Sequence, residues 1–398
     1  MERVLEGIRV LDLTNVYSGP YCTLLLKEFG AEVIKVERPV SGDVIRMDAP
    51  LTEGAESGTF IILNRGKKSI TLDLKNPRGH QICLDLVKKV DVLVENFSPG
   101  TMDKLGLGSQ ELCALNPRLV YASISAYGQT GPRRDYPGFD PVAQAMGGLT
   151  SVSGPPGGAP VKCAVSIADF GTGLYTAYAI MAALFYRQRT GQGQVVDMSL
   201  QDCIWMLTSI EFSPTYFLSG KVPQRMGNGH PITTPGNLYP AKDGSVIICA
   251  GVLSQVHRLY AAMGRQDMIE SPTLGANQSI RIQYKDQIDQ AVAAWTSTLT
   301  TAEITSILQK VDVPCSAVPT FDQVCQDPQL ISRGMITEVN QDLSGKVTVP
   351  GSVFKLSLSP GDVSSPAPYL GQHNQEVYSE LLGYSEKEIE ELSTNQVI

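Results

Sequence analysis

One carboxylate, Asp169, stands at the start of a long apolar segment. The sequence VSIADFGTGLYTAYAIMA covers residues 165–182, and the apolar segment continues to Phe185. A carboxylate at a helix N-cap accepts hydrogen bonds from unsatisfied backbone N–H groups, and the helix dipole favours its ionised form. Beside the small residues Gly171 and Gly173, it could be a nucleophile with backbone N–H groups as oxyanion donors. Asp169 could instead simply cap a buried helix, because Asp is a preferred N-cap residue.

The composition indicates a folded chain with a net negative charge. Of its 398 residues, 42% are apolar and 18% are charged, and the formal net charge is −8. This length predicts two domains, or one large domain with an insertion, and the apolar share is enough for a large core. The negative charge argues against non-specific binding to nucleic acid or to an anionic membrane surface.

The N-terminal segment and the cysteines predict a cytoplasmic protein without a metal. The residues MERVLEGIRVLDLT lack the pattern of a signal peptide, and no uncharged run reaches the ~18 apolar residues of a membrane span. The eight cysteines form no C-x-x-C pair and no zinc-like cluster with the four histidines. Most lie in apolar stretches, as reduced thiols of the cytosol do. We therefore expect no metal, no membrane partner and no nucleic-acid partner.

The first part of the chain alternates strand-like and helix-like segments. Pro at the start and Gly after the end, as at Pro20 and Gly30, is typical of a helix. Repeated strand–helix units predict an α/β fold with a mostly parallel sheet. The predicted strands are 8–13, 32–37, 69–74, 90–96 and 119–128, and the predicted helices are 20–29, 77–89, a short one near Thr101, 169–188 and 198–218.

The composition changes near residue 221. The segment that follows is rich in Gly and Pro and contains a hairpin signal at Asp243 and Gly244. After residues 1–220 we therefore expect a smaller α+β domain over 221–315. An alternating pattern resumes over 316–398, where Ser385 and Glu388 form the signature of a capping box.

Signatures of ATP and dinucleotide binding are missing from the sequence. The first strand–helix turn, TNVYSGPY, has a single glycine instead of G-x-G-x-x-G, so Glu37 after the second strand is only a weak signal for a ribose-binding acid. A P-loop needs Ser or Thr after Gly-Lys, and none of the three Gly-Lys pairs has one. No G-x-S-x-G nucleophile elbow is present.

Motifs along nearly the whole chain resemble the class III coenzyme A-transferase family, which includes formyl-CoA transferase, carnitine CoA-transferase and α-methylacyl-CoA racemase. The resemblance implies a Rossmann-like large domain built from both chain ends, a small domain from the middle of the chain, and an interlocked homodimer. The matching segments, in order, are RVLDLTNVYSGPYCTLLLKEFGAEVIKVERP, LNRGKKSITLDLKNPRG, VLVENFSPGTMDKLGLG, YASISAYGQTGP, PGFDPVAQAMGG, the ADF around Asp169, RTGQGQVVDMSL, VPCSAVPTFDQV, DPQLISRGM and APYLGQHNQEV.

The resemblance also implies a reaction. The residue matching Asp169 attacks an acyl-CoA thioester and forms an aspartyl–acyl anhydride and CoA thiolate. Further anhydride and aspartyl-CoA thioester steps then pass CoA to a carboxylic acid. One thioester replaces another, so the expected reaction needs no ATP and no cofactor beyond CoA as a substrate. The expected partners are an acyl-CoA donor and a carboxylic acid acceptor.

The family motifs also imply a set of CoA-binding residues. CoA carries three phosphates and an adenine, so its site needs cations, backbone donors and a flat apolar surface. Arg38 and Lys104 could instead be solvated surface charges, Leu72 and Leu74 could be strand core, and Phe97 could pack beneath a loop. The implied residues are Tyr17, Ser18, Arg38, Leu72, Asp73, Leu74, Lys75, Asn96, Phe97, Ser98, Lys104 and Phe139.

Departures from the family pattern narrow the expected reaction. Formyl-transferring members have Gln where this chain has Tyr17, and a glycine-rich run where this chain reads CAGVLSQVH, so formyl/oxalate exchange is not expected. The racemase branch has Gly-His-Asp where this chain has Gly138, Phe139 and Asp140, and a Phe ring cannot transfer a proton. We expect an acyl-CoA:carboxylate CoA-transferase. A racemase of the same superfamily and a non-catalytic nucleotide-binding protein are the alternatives.

Overall fold

The computed structural model describes residues 3–398. Within these residues it contains eleven strands: β1 (Arg9–Asp12), β2 (Glu32–Glu37), β3 (Lys68–Thr71), β4 (Val92–Glu95), β5 (Val120–Ser125), β6 (Val195–Ser199), β7 (Gly236–Ala241), β8 (Gly244–Cys249), β9 (Cys315–Ala317), β10 (Ile336–Gln341) and β11 (Gly345–Pro350).

The same residues form eighteen α-helices and two short 3₁₀-helices, the latter at Val44–Met47 and Ile282–Tyr284. The α-helices are α1 (Ser18–Glu28), α2 (Gly58–Asn64), α3 (Pro77–Val87), α4 (Thr101–Lys104), α5 (Ser109–Leu115), α6 (Asp140–Met146), α7 (Leu149–Val152), α8 (Ile167–Thr190), α9 (Leu200–Ser219), α10 (Leu253–Ala262), α11 (Gln266–Glu270), α12 (Gln278–Arg281), α13 (Lys285–Thr296), α14 (Thr301–Lys310), α15 (Phe321–Cys325), α16 (Pro328–Ser332), α17 (Asn374–Leu382) and α18 (Glu386–Thr394).

Six strands form one parallel sheet in the order β3-β2-β1-β4-β5-β6. The predicted α/β fold with a parallel sheet is thus confirmed. The strand order reverses between β1 and β4, and in open sheets of this kind ligands bind outside the carboxyl ends of the strands at that reversal. The sixth strand, β6, was not predicted, and its last two residues fall within the segment 198–218 that was predicted to be helical; that helix begins at Leu200.

Both faces of the sheet are covered, which explains its nearly continuous apolar strands. In β1, Val10 and Leu11 are both fully buried but belong to different apolar clusters, one on each face. Parts of α1, α8 and α9 pack on the Val10 side, and parts of α3, α17 and α18 pack on the Leu11 side.

The contacts divide the chain into two compact units. The first holds the six-stranded sheet and the β10–β11 hairpin, and the second holds the antiparallel sheet β7-β8-β9. The hairpin signal at Asp243 and Gly244 is confirmed, because it joins β7 to β8. The units differ in extent from the predicted 221–315 segment: the first comprises Met1–Leu149, Cys163–Ser209 and Pro328–Ile398, and the second comprises Thr150–Lys162 and Ile210–Asp327.

Helix α8 crosses the first unit in close contact with α1. A Cβ atom at Gly173 would lie 2.6 Å from the Ser18 carbonyl oxygen, so only glycine allows this approach. By length and mean hydropathy, α8 is the one helix of residues 3–398 that could cross a membrane. Its buried residues, including Ile180 and Ala183, are part of the core on the β1 face that also contains Val10.

Two buried ion pairs hold the loop between β1 and α1. Lys67 lies 3.1 Å from Asp12, Lys35 lies 2.9 Å from Asp43, and all four side chains are fully buried. The Lys35 ammonium also donates to the Thr14 carbonyl oxygen at 2.8 Å. Burial lowers the pKa of Lys67 to about 8, although the Asp12 carboxylate opposes that shift. The loop is therefore held by two ion pairs whose side chains have no access to water.

We expect Asp12→Ala to lower the free energy of unfolding by about 3–5 kcal/mol, because it leaves the Lys67 ammonium buried without its carboxylate. Asp85→Ala is the matched control, since Asp85 forms an ion pair of 2.9 Å with Lys88 in which both side chains are partly exposed. Its loss should stay below about 1 kcal/mol. Chemical denaturation followed by fluorescence measures both, and equal losses would contradict the assignment.

Candidate active site

Asp169 is the third residue of α8, in its first turn, and Ser166 is the N-cap residue. The prediction that Asp169 caps this helix was therefore wrong. The free N–H groups are taken by another carboxylate: Asp140 Oδ1 accepts hydrogen bonds from the backbone N–H of Ala168 at 2.7 Å and of Asp169 at 3.4 Å. The helix can begin before Asp169 because Asp140, distant in sequence, supplies the acceptor that a cap residue would supply.

The environment of Asp169 favours its neutral form, which corrects the expectation of a stabilised carboxylate. Burial and, second, the negative charge of Asp140 raise the pKa of Asp169 to about 7. At neutral pH a substantial fraction is therefore still ionised, and that fraction is poorly solvated. A carboxylate with little hydration is a stronger nucleophile than one in water.

Asp140 is itself held by buried partners. It is 5% exposed, and its Oδ2 accepts from the Gln144 side chain at 2.7 Å. Gln144 in turn accepts from the backbone N–H of Cys163 at 2.8 Å, just before α8. Sequence reasoning considered Asp140 only as the last member of the Gly-Phe-Asp triplet. Asp140 followed by Pro at the start of α6 was the available signal, but it identifies a helix start and not a contact with α8.

Asp169 lines a cavity of about 430 Å³ at the reversal point of the sheet. The first backbone N–H groups of α1 have no acceptors within their own helix, Tyr17 provides no side-chain cap, and Pro20 has no N–H. Val16, which precedes them, has φ of 68°, in the left-handed region that β-branched residues rarely adopt. The cavity is lined by Asn15, Val16, Tyr17, Ser18, Arg38, Ser41, Gly42, Val44, Asn96, Phe97, Ile124, Ser125, Ala126, Gly138, Phe139, Asp169 and Leu200.

A second cavity, of about 520 Å³, lies beside the first at the carboxyl ends of β1, β2 and β3. The two cavities share Asn15, Arg38, Ser41 and Phe97, so they adjoin along these residues. The remaining lining residues are Leu13, Val36, Glu37, Pro39, Val40, Leu72, Asp73, Leu74, Lys75, Thr101, Leu105 and Gln396.

The structure brings most of the predicted site residues together around these two cavities. Ser98 instead lines a separate polar cavity with Glu95 and Ser123. Lys104 is exposed and lines neither of the two cavities, although its neighbours Thr101 and Leu105 line the second. The predicted residues that line the first or the second cavity are Tyr17, Ser18, Arg38, Leu72, Asp73, Leu74, Lys75, Asn96, Phe97, Phe139 and Asp169.

An apolar cavity of about 580 Å³ shares Tyr17 with the Asp169 cavity. The Tyr17 ring stacks on Phe170, with ring centroids 6.0 Å apart, and Tyr21 meets Phe170 edge-on. Leucines of α1 and Ile62 of α2 complete much of its wall. Within residues 3–398 there is no group of three or more His, Cys, Asp or Glu side chains arranged to hold a metal ion.

Comparison with known proteins identifies relatives across nearly the whole chain. The sequence profile of CoA-transferase family III matches residues 5–374. The succinyl-CoA–D-citramalate CoA-transferase of Chloroflexus aurantiacus is 38% identical over 100% of this chain and 98% of its own length. The succinyl-CoA:glutarate CoA-transferase of Mus musculus is 35% identical over 99% of this chain and 90% of its own length. The formyl-CoA:oxalate CoA-transferase of Bradyrhizobium sp. is 35% identical over 98% of this chain and 96% of its own length.

A solved structure has the same fold. The crystal structure of a CAIB/BAIF family protein from Brucella suis matches with a TM-score of 0.84 at 34% sequence identity. The match covers 96% of this chain and 100% of that protein.

We expect Asp140→Asn to move the acidic limb of the pH profile of kcat/KM to lower pH. A carboxylate must be ionised to act as a nucleophile, so with Asp169 in that role its pKa of about 7 should set the pH below which activity falls. Removing the Asp140 charge lowers that pKa, whereas burial keeps it above the ordinary value of 3.8. The control is Asp48→Asn, an exposed carboxylate that acts on the pKa of Tyr17 but not on that of Asp169. An acidic limb that does not move in Asp140→Asn would contradict this account.

Proposed function

The chain belongs to CoA-transferase family III, and from this premise we propose that it moves CoA between small organic acids through covalent intermediates on Asp169. The observation that carries the proposal is the position of Asp169. This half-buried carboxylate, with a pKa of about 7, lines a cavity that also contains the uncapped start of α1 and Phe139 in its wall.

The proposed reaction proceeds by four acyl transfers. An Asp169 oxygen attacks the thioester carbonyl carbon of the donor, the C–S bond breaks, and a mixed anhydride and CoA thiolate form. The thiolate then attacks the Asp169 carbonyl carbon, which releases the donor acid and leaves an aspartyl-CoA thioester. The acceptor carboxylate attacks this thioester, which forms a second mixed anhydride and regenerates the CoA thiolate. The thiolate then attacks the acceptor carbonyl carbon of that anhydride, which forms the new acyl-CoA and frees the Asp169 carboxylate. One thioester is consumed and one is formed, so the exchange needs no ATP.

The start of α1 supplies backbone N–H donors for the oxyanions of the tetrahedral intermediates. Negative charge develops on the carbonyl oxygen at each attack, and preorganised N–H groups stabilise it. We assign that role to the backbone N–H groups of Tyr17 and Ser18, which line the Asp169 cavity at the start of α1. Phe139 is 73% exposed and lines the same cavity, where its ring would limit the access of water to the anhydride.

We place the nucleotide of CoA in the second cavity and the pantetheine arm along the residues that the two cavities share. Arg38 and Lys75 are exposed cations of an acidic chain on the wall of the second cavity, where the phosphates would lie. Asn96 and Phe97 then line the path to Asp169. Leu72 and Leu74 serve as wall and strand core together, because Leu72 is 2% exposed and Leu74 packs against the core.

The acids exchanged are small, and we propose succinyl-CoA as a donor. The relatives from Chloroflexus aurantiacus and Mus musculus are named for succinyl-CoA, with D-citramalate and glutarate as acceptors. The apolar cavity that shares Tyr17 with the Asp169 cavity offers room for an acyl group. Against the racemase alternative, Phe139 offers no group that returns a proton to the second face of an α-carbon.

We further propose that the working form is a cytoplasmic, interlocked homodimer. Along one side of α8, Leu174, Tyr178 and Phe185 are 49%, 74% and 63% exposed. Large apolar side chains exposed together mark a surface that another chain covers. Neither nucleic acid nor a membrane is proposed as a partner.

We expect Asp169→Ala to abolish CoA transfer while leaving CoA binding intact. The variant loses the nucleophile but keeps every side chain that lines the second cavity, where we place the nucleotide. Incubation of the wild type with succinyl-CoA and hydroxylamine should give a hydroxamate at Asp169, detected by mass spectrometry. The control is Asp202→Ala, which removes the equivalent first-turn carboxylate of α9. Transfer at a near-normal rate in Asp169→Ala, or exchange of an α-proton in heavy water without CoA transfer, would contradict the proposal.

We expect Arg38→Ala and Lys75→Ala each to weaken CoA binding by roughly 1.5–3 kcal/mol, the contribution of a hydrogen bond to a charged group. Lys104→Ala should have the smaller effect, because Lys104 lines neither cavity. Titration calorimetry with CoA measures all three. Normal binding in the three variants would contradict the position given to the phosphates.

A further inference from the structure

Gln396, two residues before the end of the chain, lines the cavity at the carboxyl ends of β1, β2 and β3. Its side chain is exposed at that wall. Within residues 3–398 its carboxamide makes no side-chain hydrogen bond, whereas its backbone N–H donates to the Ser393 carbonyl oxygen at 3.0 Å. The amide is therefore available to a molecule in the cavity.

The backbone of Gln396 adopts a conformation that glutamine disfavours. It has φ of 55° and follows Asn395, the C-cap residue of α18. This position after a helix is usually glycine, because glycine enters the left-handed region without a steric cost. A strained non-glycine residue at a cavity points to a role for its side chain.

The two residues that follow Gln396 fix it in place. The Val397 carbonyl oxygen accepts from the backbone N–H of Asp73 at 2.8 Å, and the Val397 N–H donates to Leu392 at 2.9 Å. Val397 and Ile398 are 4% and 6% exposed and belong to the core beneath the sheet. Gln396 thus stands on an anchored segment, directly beside the Asp73 and Lys75 wall of the cavity.

The other walls suit a flat, weakly polar ring. Leu13, Val36, Leu72 and Leu105 provide apolar surface, and Phe97 provides an aromatic face. A carboxamide offers one acceptor and two donors, which can pair with the N6 amino group and N7 of adenine together, whereas hypoxanthine presents two acceptors on that edge. Resting on the CoA site proposed above, we propose that Gln396 recognises the adenine base of CoA and that the segment after α18, residues 396–398, is part of the nucleotide site.

The test compares Gln396→Gly with Asp312→Gly. Asp312 is a matched control: it has φ of 51°, it follows Val311, the C-cap residue of α14, and it lines neither cavity. Both changes relieve left-handed strain, so both variants should melt at or above the wild-type temperature. Calorimetry is carried out with CoA, with its analogue carrying hypoxanthine in place of adenine, and with dephospho-CoA.

We expect wild type and Asp312→Gly to bind CoA about tenfold more tightly than the hypoxanthine analogue, as one base-edge contact provides. Gln396→Gly should lose about tenfold in CoA affinity and bind the two bases equally, with its preference for CoA over dephospho-CoA unchanged. An undiminished base preference, or a loss confined to the 3′-phosphate, would overturn the role of Gln396. Wild type that fails to bind CoA would instead refute the proposed CoA site itself.

Discussion

The close packing of α1 on α8 at Gly173 is the constraint on which the candidate site depends. The space for a Cβ atom at this position is occupied by the Ser18 carbonyl oxygen, 2.6 Å away. A larger residue would separate the two helix starts, and with them the N–H groups of the first turn of α1 from Asp169. Neither helix makes the candidate site alone. Helix α1 supplies free backbone N–H groups, and α8 supplies the Asp169 carboxylate while its own first N–H groups are already bonded to Asp140.

A buried carboxylate holds the start of each of these two helices, Asp43 at α1 and Asp140 at α8, but the two carboxylates have different partners. Before α1, the Asp43 carboxylate is paired with buried Lys35 and also accepts from the Val16 N–H at 3.3 Å, so a cation compensates the charge that holds the loop. At α8, the Asp140 carboxylate has Gln144 as its side-chain partner, a neutral group. Its uncompensated charge is what raises the pKa of Asp169 beyond the effect of burial. One carboxylate before α1 is thus paired with a cation, whereas the one at the start of α8 has a neutral partner and acts on the pKa of Asp169.

The local sequence pattern was sufficient to predict most of the sheet and its helices. A strand buried on both faces is a short apolar run, and a helix end is indicated by Pro or Gly within a few residues. The pattern also singled out Asp169, which lines a cavity at the sheet reversal, while the family resemblance implied Arg38 and Lys75, which line the adjoining cavity. The pattern failed for the cap of α8, whose acceptor is Asp140, 29 positions before Asp169 in the sequence. It also failed for the raised pKa of Asp169, which comes first from burial and second from the charge of Asp140. It did not identify Gln396, whose place at the cavity results from the Val397–Asp73 hydrogen bond across the chain. Such contacts have no periodicity to detect.

The sheet order allows the proposed nucleotide site and Asp169 to share one edge of the sheet without a phosphate-binding loop. At the reversal between β1 and β4, the loops diverge and open a crevice at the carboxyl ends. The second cavity occupies the β1–β3 side of this crevice, and the Asp169 cavity continues from it through Asn15, Arg38, Ser41 and Phe97. In the proposed arrangement, CoA is bound by its distant nucleotide in the second cavity while its thioester reaches Asp169. Binding energy from the distant end then contributes to positioning the reacting carbon, which reduces what the small acyl group must supply.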